Sequence, residues 1–515
     1  MLFVTDAKMA LSSGFLGRRF LLLLAQENVE FRLPEIKSLF SLCKCQFSSE
    51  ENFDERSPFW IVHIPSEELA KAVMRRTVCA KSIFELWGQG RTHEELHNSL
   101  RNYPVDKMIP FLQQGSTYQI KVYAFNKTLS HNERIQKIDD LGFLPFQGTV
   151  KLKEPEHVFW LLEDYGTDPN NAPEKPFHIY FGRWIADGQR ELINLYSVKK
   201  RHFIGNTSMD ACLSFLMANH AKAGANNLVF DPFVGTGSLL VACAHFGAYV
   251  CGTDIDYNII HGRGKASRKN QKWRGPDENI RANLRQYGLE KFYVDVLVSD
   301  TSKNIWRKAN IFDAIITDPP YGIRESTRKT GSQKGSIKPA EEYIESHVPV
   351  SMNYHLSDIF IDLLNLAAEN LVMNGRLVYW LPVYKLDRTE PFERSIFQCD
   401  SESGWAKGRL EILIKKLGQN FFELKSFLHN LSYSEDVIPQ HPCLKLISNC
   451  EQPLTTHTSR QLITMEKVKE FEDKDRYAHL NDARYNPYVG HNSFREKYFS
   501  GVMKKISKEN RNTQN

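Results

Sequence analysis

The hydrophobic pattern along the chain has two textures. Up to about residue 188, short apolar runs alternate with helical patterns: FLLLLA from Phe20, then LPEIKSLFSLC, PFWIVHIP and SEELAKAVMRRTVCAKSIFELW, which is an α+β arrangement. In the last of these, Leu69, Val73 and Met74 recur at helical spacing, and Ser66 followed by Glu67 and Glu68 suits a helix start. HVFWLLEDYG and FHIYFGRWIAD read as strands on either side of TDPNNAPEK, whose Pro, Asn and Asp predict a surface loop. From about residue 205 nearly continuous apolar runs are separated by helical lengths: NLVFDPF, AYVCGTDID, YVDVLVSD, FDAIITDPP and GRLVYWLPV. Strands covered on both faces of a parallel sheet read this way, which predicts a doubly wound α/β domain. HPCLKLISN and RQLITMEKV suit two antiparallel strands closing that sheet. Thr207 and Asp210 have the spacing of a capping box for a helix on NTSMDACLSFLMANHA, with Met209, Leu213, Leu216 and Met217 on one face.

Length and composition add boundaries to this picture. At 515 residues the chain exceeds one ordinary core. We expect an N-terminal α+β region over 1–60, a second α+β domain over 61–188, a linker over 189–204, the α/β domain over 205–470 and a polar, mildly basic extension over 471–515. A hydrophobic fraction of 42% with 25% charged residues argues for a folded, soluble protein, and a formal charge of +5 permits a nucleic-acid partner only if the cations cluster. Nine cysteines without a C-x-x-C spacing predict neither a disulfide framework nor a metal site. The apolar run after Arg18 and Arg19 stops after six residues, and no segment approaches the roughly 20 apolar residues of a membrane span, so a cytoplasmic protein is expected.

The candidate chemistry lies at the predicted strand ends. In LVFDPFVGTGSLL a strand ends at Asp231, turns through Pro232 to Gly237 and enters a helix, and Gly235 and Gly237 leave room for a ligand that a Cβ would strike. The following strand ends in Asp254 and Asp256, and Asp254 is placed to accept from ribose hydroxyls. A dinucleotide fingerprint would carry a third glycine, and Asp231 would repel a pyrophosphate. A cofactor with an adenosine and a cationic amino-acid end fits better, namely S-adenosylmethionine. Asp300, closing VLVSD, suits either an acceptor for the adenine amine or a helix N-cap.

The sequence TDPPYGIRE comes after the fourth strand and therefore lies on the same edge. Methylation of an exocyclic amine needs acceptors for its two N–H groups, so that the lone pair is freed from the ring and aimed at the methyl donor. Asp318 supplies a carboxylate, Pro319 a carbonyl, Pro320 rigidity and Tyr321 a ring that stacks on a flipped base. This motif suits the N2 amine of guanine and the N6 amine of adenine alike. A proline turn without chemistry, or a binding scaffold with a relict cofactor fold, are the competing readings.

DPFVGTGS, TDPPYGIRE and KKRHFIGNTSMD together resemble the catalytic subunits of eukaryotic tRNA (guanine(10)-N2)-methyltransferases, over most of residues 18 to 500. The resemblance implies a THUMP RNA-binding module over 61–188, a Rossmann-like methyltransferase domain, S-adenosylmethionine as cofactor and tRNA as substrate. It places the cofactor turn on Asp231 to Gly237, the amine-positioning motif on Asp318 to Tyr321, and Thr207 and Ser208 near the methionine end of the cofactor. It also implies a heterodimer with a small zinc-binding activator subunit. Two basic loops, HGRGKASRKNQKWRG and IRESTRKTGSQKGSIK, flank the site, and Arg324, Arg328, Lys329 and Lys334 in the second are candidate RNA contacts.

Overall fold

The computed structural model describes residues 17–49, 54–323, 325–331, 350–384, 438–455 and 458–481, with 494, 495 and 498. The chain forms two compact units, Met1–Arg201 with Asp210–Lys222, and His202–Met209 with Ala223–Asn515.

The first unit is built on one mixed sheet of β1 (Arg18–Leu24), β2 (Ser48–Ser49), β3 (Phe59–Ile64), β4 (Ala80–Gly90), β5 (Thr117–Phe125), β6 (Thr149–Val150), β7 (His157–Asp164) and β8 (His178–Asp187). Their order is β2-β3-β1-β4-β8-β7-β5-β6. The run FLLLL is buried on both faces: Phe20, Leu22 and Leu24 pack with Ile36, Phe40 and Trp60, while Leu21 and Leu23 pack with Phe59, Phe84 and Leu162. Because β1 pairs with both β3 and β4, the boundary expected at residue 60 falls inside β3 and within a single sheet. The helical reading of residues 66–87 holds only for its first part. Ser66 Oγ accepts from the Leu69 amide and the helix runs Glu67–Met74; the Ser82–Trp87 run is then taken up by β4, which gains partners on both sides from β1 and β8.

The segment after Met209 also departs from expectation. Asp210 is itself the N-cap of the helix Ala211–His220, accepting from the Cys212 and Leu213 amides, so Thr207 lies outside it and forms no capping box. The helix is buried all round rather than on one face. It belongs to the first unit, where Asn219 donates to Glu35 Oε1 at 2.7 Å. Glu35 also receives Thr77 Oγ1 and the Val78 and Cys79 amides, and this set of donors satisfies a carboxyl that burial pushes above its ordinary pKa.

The second unit holds β9 (Leu228–Asp231), β10 (Tyr249–Asp254), β11 (Tyr293–Val298), β12 (Phe312–Thr317), a short ribbon of β13 (Arg328–Thr330) and β14 (Ser351–Asn353), β15 (Leu371–Tyr384), β16 (Leu444–Pro453) and β17 (Thr458–Lys467). The main sheet is ordered β11-β10-β9-β12-β15-β17-β16; its first five strands are parallel, and β17 and β16 close it antiparallel as expected. Phe230, Ile315, Leu377 and Tyr379 pack under Ile359, Phe360 and Leu363 of the helix Leu356–Asn370. At the edge, β11 departs from the pattern of burial on both faces and leaves Val294, Leu297 and Val298 exposed. Strand order reverses between β9 and β12, which opens a crevice at their carboxyl ends.

Candidate active site

Asp231, Gly235, Asp254 and Asp318, all singled out from the sequence, lie at or just past the strand ends that border that crevice. The turn after β9 brings Gly235, at φ +48°, and Gly237, at φ +74°, into the left-handed region that glycine adopts without strain. Their surroundings differ. A Cβ on Gly235 would meet no atom within 4 Å, so this position faces open space suited to a ligand. A Cβ on Gly237 would lie 2.7 Å from Ile280 Cγ2, so the second glycine is required by packing against the helix Ile280–Gln286 rather than by a ligand. Asp254 ends β10 and accepts from the amides of Gly235 at 2.9 Å and Asp256 at 2.9 Å; burial nevertheless raises its pKa to about 6.

Asp231 is 2% exposed. Its Oδ1 accepts from Thr317 Oγ1 at 2.7 Å and from the Phe233 amide at 3.0 Å, and burial raises its pKa to about 7. The expected display of its charge toward a ligand is therefore corrected: the carboxyl is turned into the sheet and ties β9 to β12. The Pro232 carbonyl is likewise engaged, by Thr253 and Thr301. Asp300 caps no helix; Oδ1 accepts from the Ser302 amide and Oδ2 from the amide and hydroxyl of Thr330. Ser208 Oγ accepts from the Gly205 amide and pairs with Thr236 Oγ1 at 2.7 Å, and the Thr207 hydroxyl donates to Glu325. Thr207, Thr236 and Glu325 line a cavity of about 290 Å³ together with Gly205, Lys265 and Arg274.

Asp318 lies just past β12 with its side chain 26% exposed. Tyr321 donates its hydroxyl to Asp318 Oδ1, and Arg460 Nη1 lies 3.4 Å from Oδ2. Burial pushes the carboxyl up, while Arg460 and the Tyr321 hydroxyl pull it down. The Tyr321 ring packs partly against the core, so the expected stacking on a base requires the ring to leave this bond. Arg460 and Glu325 escaped the candidates drawn from the sequence. Glu325 stands in the quoted motif GIRE, whereas Arg460 is 142 residues beyond Asp318 with no local signal.

The second basic loop is in part a strand. Arg328 and Lys329 belong to β13; Arg328 is exposed, but Lys329 pairs with Asp358 at 3.2 Å and lies over the Tyr354 ring, so its charge is already engaged. Arg324 and Lys334 lie outside the described residues. Among the described residues no group of three His, Cys, Asp or Glu side chains could hold a metal, and no helix is long and apolar enough to cross a membrane.

Residues 18–190 match the Tmrp11 THUMP N-terminal domain, and residues 199–334 match the RMKL-like methyltransferase domain. The chain is 63% identical to the tRNA (guanine(10)-N(2))-methyltransferase TRMT11 of Gallus gallus over 98% of its own length and 99% of that protein. It is 63% identical to the enzyme of that name from Homo sapiens over 96% and 98%. The tRNA (guanine(10)-N(2))-methyltransferase of Saccharomyces cerevisiae is 34% identical over 71% of this chain and 84% of that one. Identity of 63% along almost the whole of both chains, with a THUMP N-terminal domain and a methyltransferase domain matched in order, places the chain in the tRNA (guanine(10)-N(2))-methyltransferase family.

Proposed function

We propose that the chain is the catalytic subunit of an S-adenosylmethionine-dependent enzyme that methylates N2 of guanosine 10 in tRNA. The observation that carries this reading is the position of Asp318 and Pro319 at the end of β12, beside the turn after β9 at the strand-order reversal. The residues fit the cofactor: the open space over Gly235 and the carboxylate of Asp254 suit the nucleoside part, with Thr207 and Ser208 toward its methionine end. When bound there, S-adenosylmethionine would supply an electrophilic methyl group to the amine and would leave as the neutral thioether.

Asp318 and the Pro319 carbonyl accept the two amine hydrogens and hold the nitrogen's lone pair out of conjugation. The nitrogen gains positive charge as it is alkylated, an adjacent anion stabilises that charge, and the amine then gives up one proton to solvent. Tyr321 exchanges its bond to Asp318 for a stacking contact with the flipped guanine. The first basic loop puts Lys265 in the cavity lining and carries Arg268, Lys269 and Lys272 in the same segment, a set suited to phosphate contacts.

A small zinc-binding activator completes this reading. β11 ends the sheet, and its exposed Val294, Leu297 and Val298 make an apolar edge that an added strand would pair and cover. The test is transfer of labelled methyl to a tRNA transcript and to its position-10 adenosine variant, followed by nucleoside analysis, with the chain alone and co-expressed with the activator. N2-methylguanosine at position 10, formed only by the co-expressed pair, is expected. A methylated adenosine would overturn the base assignment, and full activity of a monodisperse lone chain would overturn the need for a partner.

A further inference from the structure

We infer that Arg460 is a positioning residue for amine transfer: it holds the carboxylate of Asp318 by Oδ2, so that Oδ1 stays available and anionic when Tyr321 gives way to the target amine. The inference rests on the proposed role of Asp318 as the amine acceptor.

The geometry is that of a strut. Arg460 sits near the start of β17, opposite Gln452 on β16 and Pro382 on β15. Its Nε donates to Gln452 Oε1 at 2.7 Å, its guanidinium lies 4.0 Å from the Trp380 ring centroid, and Nη1 faces Asp318 Oδ2. The side chain is 14% exposed. A hydrogen bond at Nε and an aromatic face along the guanidinium plane fix its orientation before any substrate arrives, which an exposed arginine would lose to rotamer freedom. The antiparallel strands β16 and β17 thus carry a cation to the strand end that holds the proposed chemistry.

The two oxygens divide the labour. Tyr321 occupies Oδ1 and Arg460 faces Oδ2. A guanine stacking on Tyr321 withdraws the phenol from Oδ1 and puts an amine hydrogen in its place, so Tyr321 stands in for the amine in the free enzyme. With that hydroxyl gone, one of the two groups that favour ionised Asp318 is lost, and burial alone would favour the protonated acid, which cannot accept on that oxygen and offers no charge to the alkylated nitrogen. The ionisable groups around it are Arg460 and Tyr321 in contact, and the carboxyls of Asp231 and Glu325, whose titration it influences. Both of the latter are acids, so Arg460 supplies the opposing charge.

The experiment uses the full chain with its activator, comparing Arg460→Met, Arg460→Lys and Asp318→Asn by kcat, KM for tRNA, S-adenosylmethionine binding by calorimetry, and the pH profile of kcat. For Arg460→Met, which keeps the length and removes the charge, kcat falls roughly 10- to 100-fold, as for other residues that orient a reacting group. Cofactor binding is unchanged, and the acid limb of the profile moves to higher pH. Arg460→Lys recovers part of kcat and returns the limb toward that of the unsubstituted enzyme. A wild-type kcat and profile for Arg460→Met, or a loss of kcat matched by a fall in Tm with the limb unmoved, overturns the inference. Asp318→Asn separates the two levels: if that variant keeps its activity, the amine-acceptor reading has failed and not the strut alone.

Discussion

Two aspartate–proline turns close neighbouring strands of the same sheet, and they are built for opposite purposes. Asp231 at the end of β9 turns inward, where a buried threonine hydroxyl and a backbone amide hold it and its pKa rises to about 7. Asp318 after β12 stays partly exposed, with a phenol on one oxygen and a guanidinium beside the other. Each reads in the sequence as an acid and a proline after an apolar run. What separates them is the partner: a neutral hydroxyl within the sheet makes an acid into a brace between strands, whereas a cation brought from a distant strand opposes the upward push that burial gives the pKa of an acid at the surface of a crevice. Local sequence thus locates the strand ends, and long-range pairing assigns their work.

The comparison is broken most directly by amide substitution at the exposed turn. Asp318→Asn should lower kcat by on the order of 100-fold or more, because a positioned anionic acceptor for a developing cation is removed, with little change in calorimetric cofactor affinity. Near-normal turnover would make the two turns equivalent. At the inward turn the effect should fall on stability. Asp231→Ala leaves the Thr317 hydroxyl and the Phe233 amide without their acceptor, at a cost of about 1–3 kcal/mol in denaturant unfolding. Asp231→Asn keeps an acceptor but abolishes titration, and there the sign is informative. The folded-state pKa is raised to about 7, so between its ordinary carboxylate value and that point the folded chain holds a proton that the unfolded chain has released. The contribution of this group is greatest below its ordinary carboxylate pKa and declines as pH rises to about 7. Stability of Asp231→Asn relative to the unsubstituted protein should therefore improve from about pH 4.5 to about pH 7.5; a constant difference would show that Asp231 titrates normally.

The smallest contrast lies in the two glycines of the turn after Asp231. Alanine at either one costs about 1–2 kcal/mol for a left-handed backbone. Gly237→Ala should cost more than Gly235→Ala, because its methyl meets Ile280, while Gly235→Ala should be the one that weakens S-adenosylmethionine binding. Thermal unfolding and calorimetry on the two variants decide this, and the reverse ranking in affinity would move the ligand to the other side of the turn.

The legibility of the sequence obeys the same division. The five parallel strands and the antiparallel pair after residue 440 are visible in it, since apolar runs bounded by Asp, Pro and Gly carry their own punctuation. β4 is hidden because Arg75 to Thr77 break a helix without a proline or glycine, and pairing with β1 and β8, rather than local preference, makes Ser82–Trp87 a strand. The capping-box spacing at Thr207 is a coincidence, resolved by a hydroxyl that finds Glu325 instead. Asp231, Gly235, Asp254 and Asp318 can be found because strand ends on one sheet edge must converge. Asp300 is assigned to the correct strand, yet its partner Thr330 comes from a ribbon whose pairing no periodicity announces. Arg460 is the clearest loss: only the register of β16, β17 and β15 brings it to Asp318.

The helix Ala211–His220 has a consequence for how the molecule is made. Chain leaving the first unit at Arg201 contributes His202–Met209 to the second and then returns, so no single cleavage point yields two complete parts. A fragment ending at residue 201 would lack Asn219 and leave the buried Glu35 short of a donor, with the apolar surface that the helix covers open to water. On the ribosome, where N-terminal units ordinarily finish before the rest emerges, this one must wait until residue 220 is out before its interior is closed. The opening stretch of the second unit is therefore already synthesised when the first unit completes its fold, which ties the order of their maturation to the order of the chain.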